Sequence, residues 1–265
     1  MNYVVSSIVF SMVFMYIERR SQYFARYFGV ERQYIALDAK GRSNWDQLTV
    51  SLVHALIAVP ISMKINYDSV GQDPVYYYSD LIYYQFIISG GYFLWDLKVG
   101  LSAPDLVGRV MVFHACCGVL ATQYVNLLHG GPLYACFTAK LFLYELSTIP
   151  LNIKGFLQVV NPKSKFYEWT LLSFAVSFIL VRCIWGVYTT LNMLIYIYPT
   201  LDSYPMDKNM VLIGETMATS LMNLYWGGLI MTKVLQRFGR RPSSTSSSSS
   251  SSSSSRTSGI SIKHD

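Results

Sequence analysis

The sequence predicts an all-α, multi-pass transmembrane helical bundle with about seven spans. Hydrophobic residues make up 52% of the 265 residues and charged residues only 14%, whereas soluble domains carry about a quarter charged residues. Seven mainly apolar segments approach the roughly 20 residues that a spanning helix needs. They lie at 2–17, 48–65, 77–97, 106–128, 132–151, 169–196 and 210–231.

The first segment is short and is typical of a signal anchor rather than a cleaved signal peptide. No Lys or Arg precedes it, no small-residue cleavage site follows it, and Glu18, Arg19 and Arg20 come directly after it. This arrangement predicts an N-terminus on the lumenal side of the membrane. The sixth segment is long enough to tilt or to extend beyond the bilayer.

The connections between the segments alternate in charge. Basic residues are concentrated in the odd connections and the tail, at Arg19, Arg20, Arg26, Arg32, Lys40, Arg42, Lys98, Lys154, Lys163, Lys165, Lys233, Arg237, Arg240 and Arg241. The second and sixth connections hold mainly acids, at Asp68, Asp73, Asp80, Asp202 and Asp207. The positive-inside rule then places the odd connections and the C-terminus in the cytosol. It also accounts for the net charge of +6, so we expect no nucleic-acid partner.

Several ionisable side chains lie well inside the predicted spans, where a charge in hydrocarbon is costly and often marks a site. They are His54, Asp96, His114, Lys140, Glu145, Arg182 and Glu215. Helical spacing aligns several of them with other residues, in the stripes Gln85–Ser89–Tyr92–Asp96, His114–Gly118–Ala121–Thr122 and Glu215–Thr219–Met222–Trp226, the last with Asn223 beside it. Such residues either hold helices together or line a functional cavity, and the spacing leaves both open.

The fifth span carries an acid, a proline and an amide in the run LFLYELSTIPLNIKGFL (141–157). Glu145, Thr148 and Asn152 fall on one helical face. Pro150 lacks an N–H group and predicts a local break of the backbone. Arg182 in the sixth span needs an acidic partner; Glu145, Asp96 or Glu215 could serve, and Glu145 is the first choice.

Six stretches in order resemble the TLC domain, which is shared by translocation-associated TRAM proteins, ceramide synthases and several small membrane proteins of the endoplasmic reticulum. They are WDQLTVSLVHALI (45–57), GYFLWDL (91–97), FHACCGVLATQYVN (113–126), ELSTIPLNIKGFL (145–157), FILVRCIW (178–185) and MNLYWGGLI (222–230). The resemblance implies six helices around a central cavity open to lipid, preceded by one extra helix. It also implies that the cavity is lined or braced by His114, Glu145, Pro150, Asn152, Arg182 and Asn223.

The likeness departs from the ceramide-synthase pattern. Synthases of this family begin the span-four motif with two histidines, whereas this chain has Phe113 and His114. They continue with His-Asp and a further Asp pair, where this chain reads Glu145-Leu146-Ser147-Thr148. The sequence therefore favours a small non-synthase TLC protein that binds, senses or tunes membrane lipids. Its intramembrane polar network would comprise His54, Asp96, His114, Glu145, Asn152, Arg182, Glu215 and Asn223.

Two other functions stay open at this point. The first is an acyltransferase of the ceramide-synthase type, in which His114 acts as base or acyl acceptor, Glu145 orients it, and acyl-CoA is the co-substrate. The second is a non-catalytic cargo or translocon accessory protein that binds protein partners through its cytosolic tail. Otherwise no cofactor is expected, and the four cysteines lack zinc-site spacing.

The chain divides into three predicted regions. Residues 1–44 form the first span and a basic cytosolic loop, 45–235 the TLC domain, and 236–265 a disordered cytosolic tail. The tail contains the serine tract at 242–255, which cannot bury apolar area and is therefore expected to remain unfolded.

Overall fold

The computed structural model describes residues 3–102, 108–128, 134–203 and 205–239. Within these ranges all regular secondary structure is helical, which confirms the all-α class. The α-helices are α1 Tyr3–Arg19, α2 Ser21–Tyr27, α3 Glu31–Ala36, α4 Ala39–Asp68, α5 Asp80–Ser102, α6 Arg109–Val119, α7 Ala135–Leu141, α8 Glu145–Val160, α9 Lys165–Phe178, α10 Trp185–Ile197 and α11 Met206–Gly239. The predicted tail lies outside the described residues from position 240 onward.

Irregular helical turns join several of these elements. A π-helical segment, Leu120–Leu128, continues α6, and another, Ile179–Ile184, joins α9 to α10. A 3₁₀ turn, Phe142–Tyr144, joins α7 to α8, and a second, Tyr198–Ser203, follows α10. Short π segments inside longer helices are rare and frequently occur at functional sites.

Apart from residues 77–79, 108 and 134, the described residues of the predicted spans lie on helical backbone. By length and hydropathy, two helical runs of the described residues are long and apolar enough to cross a membrane, Ala39–Asp68 and Lys165–Thr200. The count of seven spans therefore stays a prediction.

Helix α1 packs extensively on α5. Its buried face carries polar side chains, whereas its exposed face carries apolar ones. Ser7 and Ser11 are buried, whereas Val9 and Met12 are more than half exposed. The close approach depends on Gly91, because a Cβ atom there would lie 2.8 Å from the carbonyl oxygen of Ser7. The Gly90-Gly91 pair thus serves close packing, and α5 continues through it without interruption.

The expected backbone break at Pro150 is wrong, because α8 runs continuously from Glu145 to Val160. Proline removes a single N–H group, and a helix that packs against neighbours can continue through it. Here α8 packs on both α4 and α9. The irregular backbone lies about two turns earlier, in the 3₁₀ segment Phe142–Tyr144.

The larger apolar core joins α1, α4, α5, α7 and the 3₁₀ turn that follows α7. It includes Phe14, Val50, Phe86, Trp95 and Phe142, all at most 7% exposed. This core fixes the faces of α4 and α5 that bear the polar residues described next.

Candidate functional site

A cavity of about 330 Å³ lies between α4, α5, α6, α8, α9 and α11. One part of its wall is polar and includes Asp96, His114, Glu145, Ser147, Thr148 and Arg182; another part is apolar and includes Phe174, Phe178, Trp226, Leu229 and Ile230. A smaller cavity of about 60 Å³ adjoins it, and His114, Glu145 and Arg182 line both. We refer to His54, Glu145, Ser147, Thr148, Arg182 and Asn223 as the polar centre.

Arg182 connects three helical segments through its guanidinium group. Nε donates to Ser147 Oγ at 2.9 Å, and one terminal nitrogen donates to Thr148 Oγ1 at 3.1 Å. The other terminal nitrogen donates to Asn223 Oδ1 at 3.4 Å. Arg182 lies in the π segment Ile179–Ile184, where the backbone departs from the α-helical register.

Glu145 supplies the negative charge next to this guanidinium. Its Oε1 lies 3.9 Å from a terminal nitrogen of Arg182, and its Oε2 lies 3.8 Å from Nδ1 of His54. Of the three acids that the sequence offered for Arg182, the structure brings Glu145 within ion-pair distance. Glu145 is 6% exposed and Arg182 8%, so each charge depends on the other for compensation.

His54 extends the polar centre into α5. Its Nε2 lies 3.0 Å from Ser89 Oγ, which in turn accepts a hydrogen bond from Gln85 Nε2 at 3.0 Å. The imidazole ring stacks on Tyr92, with centroids 4.0 Å apart and an interplanar angle of 2°. Three members of the predicted span-three stripe therefore contact this chain of polar groups, and the fourth, Asp96, lines the larger cavity.

Asn152 shares the buried face of α8 with Glu145 and Thr148 but has a different partner. Its side-chain nitrogen donates to Ser51 Oγ on α4 at 3.0 Å. The predicted face of α8 is thus buried as a whole. The structure nevertheless separates it into a part that contacts Arg182 and a part that contacts α4.

Glu215 faces the smaller cavity and accepts a hydrogen bond from Thr216 Oγ1 at 3.1 Å. Among the described contacts none joins Glu215 to Arg182. The structure therefore places Glu215 beside the polar centre without bringing it into the ion pair.

His114 borders both cavities from α6. Its ring makes edge contacts with Phe93 and Trp226, at centroid distances of 5.8 and 6.3 Å. Its Nδ1 is buried and has no hydrogen-bond partner among the described residues. The small residue Gly118 on the same face admits Phe93, whose ring a Cβ atom at Gly118 would overlap. This face of α6 therefore both packs against α5 and borders a cavity.

Lys140 lies apart from this site and lines another cavity, together with Asn66 and Trp185. Sequence reasoning overlooked Ser51, although its position three residues before His54 places both on one face of α4. It also overlooked the π segment around Arg182, for which the sequence carries no recognisable signal. In the part of the chain that the structure describes, no cluster of three or more His, Cys, Asp or Glu side chains is placed to hold a metal ion.

The described residues form a helical bundle with a buried polar centre beside a cavity, and two of its helical runs are long and apolar enough to cross a membrane. This combination is consistent with a membrane-associated helical protein. Residues 44–232 match the TLC domain family, so the chain belongs to this family, whose members are membrane-associated. The match confirms the resemblance found in the sequence.

The chain is also similar to three individual proteins. It is 38% identical over 240 residues to "TLC domain-containing protein 4 C" of Dictyostelium discoideum, covering 89% of this chain and 88% of the relative. It is 26% identical over 217 residues to an uncharacterised TLC domain-containing protein of Schizosaccharomyces pombe, covering 80% and 72%. It is 25% identical over 187 residues to "Topoisomerase I damage affected protein 4" of Saccharomyces cerevisiae, covering 67% and 64%. None of these three is named as a synthase.

Proposed function

We propose that this protein is a multi-pass protein of the endoplasmic reticulum membrane that binds membrane lipids in the larger cavity, and so senses or tunes membrane lipid composition. One observation carries the proposal: the cavity combines an apolar wall with a polar wall on which His114 Nδ1 is buried without a described partner. A lipid has the matching chemistry, because its acyl chains fit the apolar wall and its hydroxyl, ester or amide group can reach the imidazole.

The surroundings of the cavity support a six-helix chamber. Its lining residues come from each of the predicted spans two to seven, and none comes from α1. Helix α1 packs outside on α5, which agrees with the one extra helix that the family resemblance implies. The serines of α1 are buried and several of its apolar side chains are exposed, which supports a position in which the outer face of this helix contacts lipid.

The predicted orientation can be tested with glycosylation reporters at the two ends of the chain. We expect an N-terminal reporter to be glycosylated in microsomes and a C-terminal reporter to remain unmodified, because the basic connections favour the cytosol. The reverse pattern, or modification of both ends, would contradict seven spans with a lumenal N-terminus.

Lipid binding can be tested with purified full-length protein and its His114→Leu variant. We expect lipid to copurify with the wild type, and less of it with His114→Leu, because leucine removes the free ring nitrogen at similar volume. His264→Leu, in the C-terminal tail, is the matched control and should retain the wild-type amount. Absence of copurified lipid, together with an unchanged lipid profile in cells that lack the protein, would overturn the proposal.

One observation favours a second candidate, an acyltransferase that uses His114. His114 lines the cavity, where a base would be required, and its Nδ1 has no hydrogen-bond partner among the described residues. However, the described contacts of Glu145 join it to His54 and Arg182 rather than to His114, so the expected acid–histidine pair is not formed. Purified protein supplied with a long-chain base and acyl-CoA should make ceramide if this candidate is right, and His114→Ala should abolish the product.

A further inference from the structure

A cleft of about 710 Å³ lies beside the larger cavity, between α8, α9 and α11. Phe174, Ile230 and Lys233 line both the cleft and the cavity, so the two spaces adjoin. We refer to this space as the basic cleft, because its two charged residues are Lys154 and Lys233.

Neither lysine is neutralised within the described part of the chain. No described acidic side chain forms an ion pair with Lys154 or Lys233, and none lines the basic cleft, whose other polar side chains are Tyr167 and Gln236. Lys154 lies three residues beyond the predicted end of span five. The pKa of the Lys154 amine is lowered, mainly by partial burial and secondly by the positive charge of Lys233. A bound anion would relieve both effects.

The basic cleft lies at a depth suited to lipid headgroups. Lys154 and Lys233 both follow the predicted ends of their spans, on the side that the positive-inside rule assigns to the cytosol. On α9, which forms a wall of the cleft, Trp169 is 65% exposed. Tryptophan is enriched at the boundary between hydrocarbon and water, where the phosphates of the cytosolic leaflet also lie.

We propose that the basic cleft binds the phosphate of a phospholipid between Lys154 and Lys233, with the acyl chains lying on the apolar walls formed by residues such as Leu171, Phe174 and Ile230. This inference rests on the proposed function and narrows its ligand to lipids that carry a phosphate. Charge complementarity selects the phosphate, and the apolar side chains that line both the cleft and the adjoining cavity, Phe174 and Ile230, select a lipid over a soluble anion.

The test measures binding of three probes to purified full-length protein by native mass spectrometry: phosphatidic acid, diacylglycerol with the same chains, and inorganic phosphate. Each basic residue near a membrane contributes about 1 kcal/mol to the attraction of an anionic lipid. The double variant Lys154→Gln/Lys233→Gln should therefore weaken phosphatidic acid binding roughly 30-fold. The double arginine variant keeps both charges and should bind like the wild type. Lys98→Gln, at an exposed lysine on the same predicted side but outside the cleft, is the matched control.

The outcomes separate this inference from the function on which it rests. Equal binding of phosphatidic acid and diacylglycerol, or an unchanged affinity in the double glutamine variant, would overturn the phosphate site while lipid binding itself stands. Inorganic phosphate that binds as tightly as phosphatidic acid would overturn the assignment to a lipid. Failure of the wild type to bind any lipid would overturn both proposals.

Discussion

Replacing Arg182 by Met tests whether the ion pair with Glu145 stabilises the fold. Methionine keeps an unbranched apolar stem but removes the charge and all three hydrogen bonds of the guanidinium. Glu145, 6% exposed, would then be a buried carboxylate without a cationic partner. Breaking a buried pair in this way costs about 3 to 5 kcal/mol. At 2–4 °C per kcal/mol for a domain of roughly 150–250 residues, this corresponds to a fall in Tm of about 6 to 20 °C.

Thermal unfolding of the purified protein in one fixed lipid and detergent mixture measures this shift. The matched control is Arg26→Met, which breaks the surface pair between Arg26 and Glu31, 3.5 Å apart with the Arg26 side chain 69% exposed. Surface pairs contribute about 0 to 1 kcal/mol, so Tm should change by no more than about 4 °C.

A double-mutant cycle with Glu145→Gln isolates the ion pair from the hydrogen bonds. In the Glu145→Gln protein no carboxylate can be left without a cationic partner. Arg182→Met should therefore destabilise the fold by at least about 1 kcal/mol less than in the wild type. An equal loss in both backgrounds would refute the reasoning, since Arg182 would then act through its hydroxyl and amide partners alone.

Two further substitutions test the packing around the site. Gly91→Ala should destabilise the fold by about 1 to 3 kcal/mol, because the new Cβ would lie 2.8 Å from the Ser7 carbonyl oxygen. The control is Gly228→Ala, where no atom lies within 4 Å of the Cβ position. This variant should be neutral or slightly stabilising in the same melting assay. Asn152→Ala should cost about 1 kcal/mol through loss of its bond to Ser51, and an unchanged Tm would show that this bond contributes nothing.

The types of the residues and their helical periodicity were enough to predict which faces of the helices are polar. The stripe on span three and the face of α8 both follow from spacing alone, since residues three or four apart share a helical face. The same reasoning was wrong at Pro150, because a proline changes one hydrogen bond locally, whereas continuity of the helix depends on the neighbours that pack against it.

The pairing of these faces could be predicted only in part. Periodicity gives the direction of a side chain about its own helix axis but not the rotation of one helix against the next. Electroneutrality required an acidic partner for Arg182, and Glu145 was the first choice among three acids that could serve. Electroneutrality could not show that His54 contacts the other oxygen of Glu145, since that contact depends on how α4 and α8 pack together.

The contrast between Arg182 and His114 offers a test that separates a structural role from the proposed role in lipid binding. Arg182 uses its guanidinium within the protein, where it has three hydrogen-bond acceptors and a carboxylate. His114 borders the same cavities with a ring nitrogen that has no described partner. Substitution of Arg182 should therefore lower stability and lipid binding together, whereas His114→Leu should lower lipid binding with little change in Tm. A polar interior that served only to hold helices together would lose stability in both variants and would show no separate effect on bound lipid.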